Sequence, residues 1–173
     1  MIRSDTVRSL VNLLLFQLGW FLCVLFPGLL SATAAFGLVG IHLALVSQHR
    51  SRELQFILLG TVLGSLLDGL WFQLGVMTDS SGTVFWTPVW LVGMWALFLT
   101  TLAHSLSWMG SRPWLPFVLA PIAGPFAYWS ASELGAVVLP AGWSSLLALA
   151  LGWLVIFPLL MYIRKRFYPE ITS

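Results

Sequence analysis

Residues 54–76 read LQFILLGTVLGSLLDGLWFQLGV. The stretch is longer than the about 20 apolar residues that carry a helix across a bilayer. It holds one charge, Asp68, and no proline. Gly60, Gly64 and Asp68 are four residues apart and therefore share one helix face. Small residues at that spacing let a second helix approach closely. The face with the carboxylate is thus expected to turn inward, against protein and away from lipid.

Working outward, five more apolar stretches occupy 9–26, 29–47, 87–108, 114–131 and 144–163. The connections between them are short and polar or rich in helix breakers: Pro27-Gly28, then Gln48-His49-Arg50-Ser51-Arg52-Glu53, then the run 78–83, then Gly110-Ser111-Arg112-Pro113, then Pro140-Ala141-Gly142. The expectation is an all-α, polytopic membrane protein: one domain over 1–173, built as a bundle of six transmembrane helices. The first stretch is read as a retained helix, because it is too long for the apolar core of a cleaved leader.

Composition agrees. Of 173 residues, 59% are hydrophobic and 8% are charged. A soluble domain carries about 25% charged residues, so this chain cannot cover a water-facing surface. The net charge of +2 is too small and too dispersed for a nucleic-acid partner. Cys23 is the only cysteine, which excludes an internal disulfide and a cysteine-based metal cluster. The sequence leads to no cofactor and no metal.

The basic residues give the orientation. With six spans, Arg3, Arg8, Arg50, Arg52, Arg112, Arg164, Lys165 and Arg166 all fall on one side of the membrane. That side is expected to be cytoplasmic and to hold both termini, in a bacterial inner membrane. Trp86, Trp90, Trp129 and Trp143 near one interface, with Trp108 and Trp114 near the other, suit an aromatic belt.

Asp68 is the sharpest candidate for function, since a carboxylate inside a span marks a functional site by default. A structural Asp, bonded to a neighbouring helix, is the competing reading. Glu133 lies near the outer end of the fifth stretch. Trp71, Gln73, Trp90 and Tyr128 lie at similar depth. Together they outline an acidic pocket walled by aromatics, suited to a cation or an amine-bearing headgroup. His42 and His104 lie at matched depth in the inner halves of their stretches, where they serve as packing residues, a proton relay or a bis-His haem site. Asn12 and Gln17 read as amides bonding across helices. Pro116, Pro121 and Pro125 suggest a kinked or broken fifth helix.

Several enzyme classes are excluded. There is no Gly-x-Ser-x-Gly elbow, no His-Glu-x-x-His and no P-loop. The only lysine, Lys165, follows the last stretch, so a retinal Schiff base is out.

Asn12 with Trp20 and Cys23, the Pro88-Val89-Trp90 start with His104-Ser105, and Gly124-Pro125-Phe126-Ala127-Tyr128 through Leu134-Gly135-Ala136-Val137 resemble a bacterial inner-membrane protein family of unknown function. The resemblance covers nearly the whole chain and implies no activity. A looser one covers about a third of it. His49-Arg50 through Gly60, Gly64 and Asp68 to Gly75, and Trp143-Ser144-Ser145 to Arg164-Lys165-Arg166-Phe167, are similar to the rod-shape-determining small membrane subunit. That likeness implies the six-helix fold of the substrate-binding components of vitamin uptake systems.

The expected function is a non-enzymatic subunit that binds or transports a small molecule or lipid headgroup near the outer leaflet. Its partners would be the lipid bilayer, that ligand and a second membrane subunit. An envelope assembly scaffold is one alternative. An accessory enzyme of membrane-lipid modification and a haem protein are the others.

Overall fold

The computed structural model describes residues 4–80, 82 and 84–172; Arg3 and the loop residues Ser81 and Thr83 lie outside them. Among the described residues there are six α-helices and no strand: α1 Asp5–Leu25, α2 Leu29–Leu45, α3 Arg50–Gln73, α4 Val89–Ala103, α5 Leu115–Glu133 and α6 Trp143–Phe167. α1, α3 and α6 are each long and apolar enough to cross a membrane. Their outward faces carry the pattern of a lipid solvent. Leu10, Leu14, Leu18, Phe21 and Leu25 of α1 are all exposed, as are Leu147, Leu151, Val155 and Leu159 of α6. A soluble helix places charged and polar residues on that face.

The shortest helix is the centre. α4 is apolar all round, and twelve of its fifteen residues are buried. It packs against α1, α2 and α3, while α5 and α6 form a hairpin of their own. Glycines make room for its bulk. A Cβ on Gly19 of α1 would stand 2.2 Å from Leu97, one on Gly60 of α3 2.3 Å from Leu99, and one on Gly64 2.2 Å from the Trp95 ring. Backbone approach of this kind brings dispersion contact within reach, and inside a bilayer such packing supplies most of the association energy.

Helix ends differ from the sequence reading where polar groups decide them. α3 begins at Arg50, so Arg50, Ser51, Arg52 and Glu53 are helical, not a turn. α4 stops at Ala103, short of 108; His104 leaves the helix and a 3-10 turn, Ser107–Ser111, follows. α5 is a continuous helix through Pro121 and Pro125. α6 runs on to Phe167 and buries Arg164, which donates to the Leu102 carbonyl at the end of α4.

The ends of α3 and α5 are built alike. Each closes on Leu-Gly, with Gly75 at φ 68° and Gly135 at φ 82°. The amide of Val76 bonds the Trp71 carbonyl and that of Ala136 the Ala131 carbonyl, both at 2.9 Å. These are left-handed glycine caps. The two chains then meet as an isolated antiparallel bridge between Thr78 and Val138. That bridge ties the α3–α4 connection to the α5–α6 connection.

At the other end the C-terminal tail is clamped on α3. Arg52 Nε donates to Glu170 at 2.5 Å and Nη2 donates to the Phe167 carbonyl at 2.8 Å, with the guanidinium 4.9 Å from the Tyr168 ring centre. The Arg52 hydrogen bond holds the Glu170 carboxyl below the ordinary carboxylate range.

Two predictions follow from this packing. Gly64→Ala forces the Trp95 ring out of its notch, so it lowers stability by about 1–3 kcal/mol, the usual cost of overpacking; a thermal melt in detergent measures it. Because the Glu170 carboxyl is depressed in the folded chain, the clamp is present above the ordinary glutamate value of about 4.3 and is lost as pH falls through the folded value. Protection factors at 168–172, with the intrinsic pH dependence of exchange divided out, should therefore fall on acidification, and Glu170→Gln should show the low protection at all pH values.

Candidate functional site

Two buried polar knots flank a long apolar cleft. The first knot is Asp68. The residue is 1% exposed and both carboxylate oxygens are engaged. Tyr128 Oη of α5 donates at 2.7 and 2.9 Å to its two oxygens, and Trp95 Nε1 of α4 donates at 2.6 Å. One side chain thus joins α3, α4 and α5.

Trp95 and Tyr128 also form the cleft. It has a volume of about 440 Å³ and lies between α1 and α4 on one side and α5 and α6 on the other. Phe16, Trp20, Trp90, Met94 and Phe98 line the first wall, and the α5 face at Ala120, Ala127 and Tyr128 lines the second. Trp153 closes the floor, stacked on Trp95 with ring centres 5.5 Å apart and planes within 13°. Gly124 makes room for Trp153: a Cβ there would stand 2.2 Å from its ring. No charged side chain lines the cleft. Ile122 and Trp108, both exposed, stand at its lips.

The second knot lies at the end of the bundle that carries the termini. His42 of α2, Glu53 of α3 and His104 at the end of α4 are all buried. Both imidazoles reach the same carboxylate oxygen: His42 Nε2 lies 2.7 Å and His104 Nε2 3.0 Å from Glu53 Oε1. The ring centres are 5.0 Å apart, edge to face. Behind His42 stands Asn12 of α1, completely buried.

Hydrogen-bond accounting fixes the His42 tautomer. Thr100 Oγ1 gives its proton to the Leu97 carbonyl at 2.7 Å, so it accepts from Asn12 Nδ2 at 2.8 Å. The Ser105 amide and hydroxyl both donate to Asn12 Oδ1, at 3.3 and 2.6 Å. The second Nδ2 proton therefore points at His42 Nδ1, 3.2 Å away. Nδ1 must accept, which leaves the proton on Nε2, directed at Glu53. The other carboxylate oxygen, Glu53 Oε2, is buried without a hydrogen-bond partner among the described residues.

The residues singled out in the sequence are divided by this arrangement. Asp68 and Tyr128 meet directly. Trp90 lines the cleft, and Trp71 packs half-buried near Gly152. Gln73 and Glu133 are exposed and do not join them. Each is the last residue of its helix, one position before the Leu-Gly cap, and turns outward there. The acidic pocket expected around Asp68 is not formed: its carboxylate faces two ring donors, not a cavity. His42 and His104 do meet, but as touching rings that share a carboxylate, which leaves no gap for a porphyrin plane between them. Gln17 is exposed, whereas Asn12 is the buried amide.

Glu53 is the residue that sequence reasoning missed, taken there as part of a polar turn. A signal was present. Glu53, Gly60, Gly64 and Asp68 continue one i, i+7, i+11, i+15 series, so Glu53 shares the glycine face.

A family described as protein of unknown function (DUF2878) matches residues 9–159, and the chain belongs to that family. No curated protein and no solved structure matches it.

Removing the carboxylate should expose how much the Asp68 knot holds. Asp68→Ala strands two buried donors, each costing about 1–3 kcal/mol. Tyr128→Phe alone should cost about 1 kcal/mol. In a double-mutant cycle by thermal unfolding, the pair should cost less than the sum, because the second change removes a donor already stranded.

Proposed function

From membership of a family without an assigned activity and from the geometry of the cleft, we propose that this protein is a non-enzymatic subunit that takes the hydrocarbon portion of a membrane lipid between α1/α4 and α5/α6. The observation that carries the reading is the lining: aromatic rings and small aliphatic side chains along about 440 Å³, with no charge. That volume falls in the range of about 300–1,000 Å³ typical of ligand pockets. A cation or an amine headgroup would need a carboxylate facing the cavity, and Asp68 is spent on Trp95 and Tyr128. The expected ligand is therefore moved from headgroup to chain.

The energetics are those of shape. A chain leaving the bilayer for the cleft gains no hydrophobic stabilisation, because lipid tails are as apolar as leucine. What it gains is contact with rings held in place. Trp95 and Tyr128 are fixed from behind by Asp68, and Trp153 by the Gly124 notch. Rigid walls reward a chain of the matching cross-section.

The reading places all six helices across a bacterial inner membrane with both termini cytoplasmic. Arg8, Arg50, Arg52, Arg112, Arg164, Lys165 and Arg166 lie at the bundle end with the termini, as the positive-inside rule requires. The cleft then faces the bilayer laterally, and the Asp68 end lies toward the outer leaflet.

Native mass spectrometry on the protein released from gentle detergent tests this. One lipid per chain should persist in the wild type and be lost in Ala127→Trp, which fills the cleft. A wild type that retains no lipid, or an Ala127→Trp variant that retains the same lipid, would overturn the reading in favour of an assembly scaffold.

A further inference from the structure

Independently of the cleft, we propose that His42, Glu53 and His104 form a binding site for a first-row divalent transition-metal ion. Three observations point there. The first is the donor set. Two imidazoles and one carboxylate come from three helices, with their ligand atoms within 4.8 Å of one another. That N₂O composition suits Zn²⁺, Fe²⁺, Co²⁺ or Mn²⁺ and does not suit Ca²⁺ or Mg²⁺, which prefer all-oxygen sites.

The second observation is the orphaned oxygen. All three side chains are at most 3% exposed. Glu53 accepts both imidazole contacts on Oε1, while Oε2 is buried with no donor. A buried carboxylate oxygen without a partner costs several times a net hydrogen bond, and such groups call for an ion or a water. A metal ion would engage it.

The third is fit. Ligands at about 2.0–2.2 Å from one ion stand roughly 3.3 Å apart at tetrahedral angles. The two separations from Glu53 Oε1, 2.7 and 3.0 Å, need to open by a few tenths of an ångström, and the three ligand atoms already lie within 4.8 Å of one another, so side-chain adjustment alone can close the set around an ion. With three protein ligands, one coordination position stays open to water, the pattern of reactive rather than purely structural sites. The place in the fold also allows entry. Glu53 is three residues into α3, His42 three before the end of α2, and His104 caps α4. All three lie beneath the 46–49 connection, whose Gln48 and His49 are exposed.

Asn12 makes the proposal specific. To bind metal through Nε2, His42 and His104, which both direct that nitrogen at Glu53 Oε1, must each carry the proton on Nδ1 instead. No proton is released; in each ring it changes nitrogen. Asn12 then turns its amide over so that Oδ1 accepts from His42 Nδ1–H, the arrangement that second-shell carbonyls give to metal-bound histidines. The turn gives up the Ser105 amide contact, at 3.3 Å the longest bond in the network. Ser105 Oγ stays within reach as an acceptor, and the Thr100 hydroxyl redirects from the Leu97 carbonyl to Asn12 Oδ1. Asn12 is thus a positioning residue, and its substitutions should move affinity in opposite directions.

The test uses the full chain in detergent, stripped with a chelator and titrated with Co²⁺ and then Zn²⁺. Bound metal is counted, and the visible Co²⁺ ligand-field band reports the site. The wild type should hold one ion per chain. His104→Gln and Glu53→Gln should abolish the band, and His49→Ala should leave it unchanged. Asn12→Leu should weaken binding by about 10-fold or more, and Asn12→Asp, an acceptor only, should tighten it. This pair keeps the proposal falsifiable if Glu53→Gln does not fold. Ala127→Trp should bind metal as the wild type does, which separates this site from the lipid reading. A wild type that binds neither ion, or binding that survives in both His104→Gln and Asn12→Leu, would overturn the proposal.

Discussion

Trp95 donating to Asp68 is the contact on which the rest of the molecule turns. The indole N–H lies against the carboxylate at 2.6 Å, and its ring fills the notch above Gly64. The same residue therefore satisfies a buried charge and packs α4 against α3. Tyr128 completes the carboxylate from α5. That bond adds to the other ties between the α5–α6 hairpin and the core, the Trp153 ring stacked on Trp95 and Arg164 donating to the Leu102 carbonyl. Asp68 braces both walls of the cleft from behind, through Trp95 on one and Tyr128 on the other.

α3 organises both ends of the protein from a single face. Glu53 at one end and Asp68 at the other are the buried carboxylates, and Gly60 and Gly64 lie between them. The glycines draw α4 close, and closeness is what brings His104 to Glu53 and Trp95 to Asp68. A buried carboxylate is tolerable only when donors reach it. Close packing supplies those donors, so the glycine spacing and the polar knots are one device. The knots differ in one respect. Both Asp68 oxygens accept from a ring donor, whereas Glu53 leaves Oε2 unused.

The sequence made the class and the helix order legible because both follow from apolar length and from breakers at the connections. Helix ends were less legible. They depend on tertiary partners: α3 reaches back to Arg50 because Arg52 clamps the tail, and α6 continues to Phe167 because Arg164 finds the Leu102 carbonyl. Depth along each stretch was readable, so His42 and His104 were placed together, and Asp68 beside Tyr128. Direction around each helix was not readable for end residues. Gln73 and Glu133 share the depth of Asp68 but sit at helix caps, where a turn of backbone sends them outward. Glu53 was obscured by its neighbours: Arg50, Ser51 and Arg52 made it look solvated, and only its register with Gly60 shows otherwise.

The composition of the cleft explains why an aromatic-rich chain need not be a cation binder. Trp90, Trp95, Tyr128 and Trp153 would make a cage for an ammonium group if a carboxylate stood among them. Here the one carboxylate nearby holds the ring edges, not the cavity. Trp95 and Tyr128 turn their polar atoms to Asp68 and their apolar faces to the cleft. Anchoring by the edge consumes the charge and removes the polar atoms from the lining. What remains is a surface of flat hydrocarbon, rigid because its polar handles are tied elsewhere, and such a surface discriminates chains by thickness and not by charge.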